Sequence, residues 1–369
     1  MTRQTRETAE IPELRRQLLN WYDKNRRDLP WRAGKDPYAI WVSEIMLQQT
    51  RVAVVVERYA AFMRRFPTLD ALALAQEQDV LALWSGLGYY RRARMLHKAA
   101  QFVAEHLGGT LPATSAELRA LPGIGAYTAA AIASIAYGEP VSVVDGNVER
   151  VICRLAGWKE GGRSGAAALR KKIENRAAKL LDAGRPGDFN QAMMELGAVV
   201  CLPRNPQCLV CPVAEHCKTR GEHKTKPRPR MLSREVAHAL AVRVPAKPGK
   251  SREVPAGEVL LEQRPPDRSV MPGMWELPAL RNAKVPEKEQ RMTVRHAIMQ
   301  VNYYVRIRDV FEHDIDSLTV PGGERRWVAL HEAADLALTG LTRKVLTRAH
   351  LLPTAPIGMI ALRADRNLT

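Results

Sequence analysis

No stretch of apolar residues in this 369-residue sequence reaches the ~18 that a bilayer crossing requires, so a membrane-spanning protein is not expected. The opening MTRQTRETAEIPEL also lacks the apolar segment of a secretory signal, and the expected location is the cytosol. There is no internal repeat and no long low-complexity tract, which sets aside a repeat array. Cysteine is sparse: five residues, at positions 153, 201, 208, 211 and 217. Four of them fall within seventeen residues, and in a reducing compartment such a group points to metal binding before disulfides. Acidic side chains are in deficit, 39 against 56 basic ones, for a net charge of +17. That excess attracts polyanions, nucleic acid before an anionic membrane surface. Hydrophobic residues make up 46% of the chain, which excludes a mainly disordered protein, and the length suggests roughly two domains.

The charge is unevenly placed. Residues 1–217 carry 29 basic and 22 acidic groups, whereas the thirteen residues KTRGEHKTKPRPR (218–230) carry six and one, with two prolines and no large apolar side chain. That composition predicts a basic linker over 218–235 between two domains. Before it, apolar residues recur with helical period over 12–22, 37–66, 78–106, 114–138, 147–157, 166–182 and 189–200. Asp36 and Pro37 stand where an N-cap and a first-turn proline belong. After the linker, VAHALAVRV, EVLLEQR, NYYVRIRDVF and RRWVAL read as strands, with ALHEAADLAL and LTRKVLTRAHLL as helical interludes. The expected fold class is a mainly α region followed by an α+β domain.

Four features carry chemistry. Cys201, Cys208, Cys211 and Cys217 have the spacing C-x6-C-x2-C-x5-C, and four thiolates in one loop hold either zinc or an iron–sulfur cluster; Cys153 lies on an apolar helix face and is expected in a core. In LPGIGAYTAAAIASIAYG, Gly123 and Gly125 flank one apolar residue before a helix. Such a turn brings backbone N–H groups to a phosphate, with Leu121 and Ile124 as anchors. Glu44 is the one acid in the apolar helix DPYAIWVSEIMLQQTRV, so half-burial and a raised pKa suit it to donate a proton. Asp145, in VSVVDGNVERV, sits at a helix N-terminus that favours its charged form. One acid kept protonated and another kept ionised is what cleavage of a glycosidic bond requires.

Taken together, LPGIG, VVDGNVERV and the four-cysteine loop, in that order, resemble the helix-hairpin-helix DNA glycosylases of the endonuclease III superfamily, and within them the MutY branch, over roughly residues 10–220. The resemblance implies a helix-hairpin-helix glycosylase fold: a six-helix barrel over about 31–136, and a cluster domain made from 1–30 and 137–217 that holds a [4Fe–4S] cluster. It implies excision of adenine mispaired with 8-oxoguanine or guanine in double-stranded DNA. Endonuclease III carries an amine-bearing lysine at the position of Tyr127, and a phenol cannot form the strand-cutting Schiff base, so a monofunctional glycosylase is implied. By the same resemblance Glu44 protonates the adenine, Asp145 stabilises the oxocarbenium ion, Asn147 and Tyr127 orient the catalytic groups, and Arg32 holds the flipped base. Leu47, Gln48, Gln49 and Thr50 probe the mismatch and Tyr89 is the wedge. Arg91, Arg92 and Arg94 either meet phosphates or form a solvated helix face.

The segment RPPDRSVMPGMWELPAL (264–280) and the strands around it resemble the Nudix-like domain with which this branch reads 8-oxoguanine, here 236–369. No glutamate-dense helix that would hold magnesium occurs over 281–300, so a reader without hydrolase activity is expected. Where the family places Phe-Ser-His, this chain has Ile298, Met299 and Gln300. Alternatives are a relative acting on thymine or uracil opposite guanine, and an iron–sulfur DNA-binding protein without catalysis. A monomer without membrane contact is expected.

Overall fold

The computed structural model describes residues 3–158, 166–220, 230–243 and 257–352. Half of the basic linker expected over 218–235, residues 221–229, lies outside the described residues. The chain folds as two compact units that interleave in sequence: one takes residues 1–49, 68–73 and 98–227, the other 50–67, 74–97 and 228–369. No described helix is long and apolar enough to cross a membrane.

Among the described residues up to 200 all the regular structure is helical: α1 (Arg3–Asn25), α2 (Pro37–Leu47), α3 (Val52–Arg65), α4 (Leu69–Ala73), α5 (Glu77–Leu83), α6 (Arg91–His106), α7 (Ser115–Leu118), α8 (Ala126–Ala136), α9 (Gly146–Ala156), α10 (Ala166–Leu180) and α11 (Pro186–Val199). Helix α2 starts as its sequence predicts: Asp36 caps it by accepting from the Tyr38 amide at 3.0 Å, with Pro37 in the first turn. The expected single stretch over 37–66 is two helices. Gln49, at φ +56°, turns the backbone into the left-handed region. The 78–106 stretch is broken likewise, by Gly86 (φ +94°), Gly88 (φ +71°) and Tyr89 (φ +48°).

Helices α1, α9, α10 and α11 enclose one apolar core that includes Leu18, Ile152, Ile173, Leu180, Met193 and Leu196. Cys153 is buried within it, and Cys201, Cys211 and Cys217 pack against its edge. Two glycines let α11 approach its neighbours. A Cβ on Gly187 would fall 2.7 Å from the Ser134 carbonyl oxygen, and one on Gly197 would fall 2.6 Å from the Cβ of Asn147 at the start of α9.

The α+β part of the second unit holds β1 (Leu232–Leu240), β2 (Val242–Arg243), β3 (Glu258–Gln263), β4 (Trp275–Glu276), β5 (Gln290–Ile298), β6 (Val301–Asp309), α12 (Ile315–Leu318), β7 (Arg325–Ala329), α13 (Leu330–Ala333) and α14 (Gly340–Arg348). Strands β1, β6 and β5 form one sheet in that order, β1 parallel and β5 antiparallel to β6. A second, antiparallel sheet has β3 paired with β2, β4 and β7. Val259, Leu261, Trp275, Val294, Val305, Val328, Val345 and Leu346 form the core between these elements. The interlude ALHEAADLAL is helical only over Leu330–Ala333. Beyond it the carbonyls of Ala334 and Leu336 accept from Arg343 of α14 instead of continuing a helix.

Candidate active site

Glu44 lies on α2 with only 5% of its surface exposed, beside the buried Trp41 and Ile45. Burial pushes its carboxyl up to about 7. A hydrogen bond from Tyr127 opposes that shift, the negative charge of Asp145 adds to it, and the Arg32 guanidinium opposes it more weakly. The Tyr127 hydroxyl, from the first turn of α8, donates to Glu44 Oε2 at 2.6 Å. Burial, followed by the neighbouring Glu44 charge, holds that phenol well above its ordinary value, so it stays a donor. Near neutral pH the site therefore has a carboxyl poised to give up a proton and a phenol that fixes its orientation. Replacing Tyr127 with Phe removes the interaction that lowers the Glu44 pKa. The alkaline limb of the pH–kcat/KM profile is then expected to move to higher pH in Tyr127→Phe, a shift read from initial rates across pH 6–9.

Asp145 caps α9. Its Oδ1 accepts from the Val148 amide at 2.7 Å and its Oδ2 from Asn147 Nδ2 at 2.9 Å. Asn147 Oδ1 in turn accepts from Arg150 Nη2 at 2.9 Å, and Arg150 also donates to the carbonyls of Gly197 and Cys201. The carboxylate is thus tied to its helix on one side and to the start of the cysteine loop on the other. Arg32, on a short 3-10 turn, donates to Glu195 Oε2 at 2.9 Å, to Gln191 Oε1 at 3.1 Å and to the Arg27 carbonyl.

Glu195 was not anticipated from the sequence. It is 1% exposed, and although burial pushes its carboxyl up, hydrogen bonds from Arg27 and Arg32 outweigh that and hold it at about 2. The signal was available: Glu195 is the one acid within FNQAMMELGAVV, the same pattern that marked Glu44.

The remaining residues expected to touch DNA divide between the two units. In the first, Gln48 Nε2 donates to Thr128 Oγ1 at 3.2 Å, Leu47 is half-buried and Gln49 is exposed. Gly123 (φ +74°) and Gly125, the N-cap of α8, lie exposed over the buried Leu121 and Ile124, as expected for a turn offering its amides outward. In the second, Tyr89 is half-exposed and lies under the Arg92 guanidinium, 5.6 Å from the ring centroid. Arg92 Nη2 also donates to Thr50 Oγ1 and to the carbonyls of Leu87 and Gly88, each at 3.1 Å. Arg92 therefore ties the Thr50 turn to the Tyr89 loop. Arg94 is likewise engaged internally, with Glu77 and the Pro272 carbonyl, so Arg91 alone of the three is exposed. Met299 and Gln300 form the turn between β5 and β6, directly after Ile298, with Met299 exposed at φ +54°.

Cys201, Cys208, Cys211 and Cys217 line one cavity with Arg154 and Arg220. Burial pushes the Cys211 thiol up to about 11, and the other three sulfurs add to the shift. Thiols set around a cavity suit a multi-atom cluster, whereas a tetrahedral zinc draws four sulfurs to ~2.3 Å from one point.

A family model described as "HhH-GPD superfamily base excision DNA repair protein" matches residues 42–180, and one described as "Iron-sulfur binding domain of endonuclease III" matches 201–217. The second match spans all four cysteines of the loop, and the chain carries a [4Fe–4S] cluster, as the resemblance implied. The chain is 48% identical over 224 residues to an adenine DNA glycosylase of Homo sapiens, covering 58% of this chain and 41% of that one. To the adenine DNA glycosylase of Mus musculus it is 40% identical over 320 residues, covering 74% and 62%. The chain thus spans about two to three fifths of the length of these relatives. A solved thermostable thymine-DNA glycosylase is similar with a TM-score of 0.52 and 29% identity, over 58% of this chain and 97% of that one.

Proposed function

Because the chain belongs to the HhH-GPD superfamily of base excision DNA repair proteins, we propose that it hydrolyses the N-glycosidic bond of adenine opposite 8-oxoguanine or guanine in double-stranded DNA and leaves the strand uncut. The observation that carries this reading is the Glu44–Tyr127 pair: a buried carboxyl at about 7, held by a phenol where a strand-cutting enzyme would need an amine. In this reading residues 1–217 make the catalytic region, 218–235 the linker and 236–369 the Nudix-like domain that reads the opposite strand. The exposed turn at Gly123 and Gly125 fixes the DNA backbone without reading sequence.

The flipped adenine enters beside Glu44, and Arg32, oriented by Glu195, bounds the pocket. Glu44 gives its proton to the base, which makes it a neutral leaving group. Asp145 faces the positive charge that grows on the sugar, and Asn147 keeps that carboxylate aimed. When bound, the [4Fe–4S] cluster supplies a cross-link among the four cysteines and a redox-capable centre outside the glycosidic step. The protein acts as a monomer in the cytosol or nucleoid.

Duplexes carrying A:8-oxoG, A:G, T:G and U:G, incubated with the protein and then split with and without alkali, test the proposal. Adenine release from the first two, with strand breaks only after alkali, is the expected result. Release confined to thymine would favour the chemistry named for the thermostable thymine-DNA glycosylase, and release confined to uracil a glycosylase with changed base choice. Release of no base at all would leave a DNA-binding protein without catalysis.

A further inference from the structure

The loop that carries Tyr89 is held from two sides by the α+β part of its own unit. Arg343 of α14 donates from Nε to Ser85 Oγ at 2.8 Å, while its Nη2 is occupied by the carbonyls of Ala334 and Leu336. Ser85 is fully buried, and Tyr90 packs over the same spot with 5% exposure. On the other side of Tyr89, Arg94 Nη2 donates to the Pro272 carbonyl at 2.5 Å, and Gln78 Nε2 reaches the next carbonyl, that of Gly273, at 3.3 Å. Those acceptors belong to a strained turn, with Met271 at φ +49° and Gly273 at φ +67°, which Gln263 also braces through the Gly273 carbonyl. Between these two anchors the backbone makes its left-handed passage through Gly86, Gly88 and Tyr89.

We propose that Arg343 and Arg94 are positioning residues that clasp the Tyr89 loop to the domain bearing Ile298, Met299 and Gln300, so that preference for the base opposite adenine depends on this clasp. The inference rests on the proposed adenine excision. A wedge and a reader that must engage one lesion together gain from being fixed in one body, because the second contact then needs no further ordering. A loosened clasp leaves each able to touch DNA but removes that advantage. Burial pushes the Arg343 guanidinium down to about 10, its Nη2 is already held by the Ala334 and Leu336 carbonyls, and release of Nε from Ser85 frees the loop.

The test uses the full chain with its cluster, and single-turnover rates on A:8-oxoG and A:G duplexes. Arg343→Met and Ser85→Ala are each expected to lower the 8-oxoG-over-G rate ratio about tenfold while the A:G rate stays within about twofold. Tyr89→Ala lowers the same ratio, and adding Arg343→Met to it is expected to change nothing more, since one residue acts through the other. Equal loss on both duplexes, or multiplying effects in the double variant, overturns the clasp. Ser85→Ala removes a single oxygen, so it carries the test if Arg343→Met fails to fold. Amide exchange over 84–90 in the DNA-free protein gives a second readout that needs no chemistry: it should quicken in both variants, and unchanged exchange overturns the proposal. A wild-type protein that releases no adenine would sink the excision reading, while the exchange comparison would still decide the clasp.

Discussion

Glu44→Gln is expected to slow base release about 10³-fold, in the range that general acids contribute, while DNA affinity stays within a few fold. Single-turnover rates and a binding titration on the same duplex separate the two effects. The wild-type rate should be pH-dependent with a known sign. The active form is the protonated one, so kcat/KM falls as pH rises through about 7. In the glutamine variant the residual rate should lose that limb. Asp145→Asn is expected to cost 10²–10³-fold through lost stabilisation of the developing positive charge. It should also lower the Glu44 pKa, since the Asp145 charge helps to raise it. If both variants retain near wild-type rates, the roles given to these two carboxyls are wrong.

Stability offers an independent check on the same side chain. A carboxyl raised from 4.5 to about 7 in the folded state contributes stability that is fully present below pH 4.5 and lost as pH rises through 7. The loss amounts to up to about 3 kcal/mol. Glutamine has no such titration. Glu44→Gln should therefore melt higher than the wild type at pH 8, with the difference vanishing near pH 4.5. Equal melting curves at both pH values would show that Glu44 is not buried as described.

Gly197→Ala is expected to be nearly as damaging, although the residue touches no substrate. The new methyl would lie 2.6 Å from Asn147 Cβ and 3.1 Å from the Asn147 backbone, so α11 must move away from the start of α9. Overpacking of this kind costs about 1–3 kcal/mol. A shift of about 1 Å at Asp145 lowers the rate about 10²-fold. Gly34→Ala is the control, with nothing within 4 Å of its added carbon, and should match the wild type in melting and in rate. A fully active Gly197→Ala would mean that the register of α9 on α11 does not position Asp145.

Much of the candidate site was legible from short segments, because its residues break local rules. A lone acid in an apolar helix, an aspartate before Gly-Asn and a pair of glycines around isoleucine each mark themselves within a few positions. Glu195 and its two arginines were hidden for the opposite reason. The pairing joins residues about 165 apart, and distance along the chain erases such a match. The helix break at Gln49 was hidden as well, because glutamine is no helix breaker, whereas the break before α6 carries two glycines, Gly86 and Gly88, that mark it. Arg92, which ties the Thr50 turn to the Tyr89 loop, stands in a sequence context that reads as a solvated helix. Interleaving of the two units belongs to the same class, since hydrophobic period reports what is buried but not against which partner.

The core shared by α1 and α11 has a consequence for synthesis. Leu14, Leu18 and Tyr22 of α1 find their partners in Phe189, Met193 and Leu196, and the cysteine loop that closes the same core comes later still. At 5–20 residues per second the ribosome leaves the first helix without its mates for roughly ten to thirty seconds. An amphipathic helix exposed for that long is a natural client for a chaperone, and iron insertion can only follow. Maturation of this protein is thus expected to be limited by the synthesis of α11 and the cysteine loop, and ribosome stalling near codon 200 should aggregate it more than stalling near codon 100.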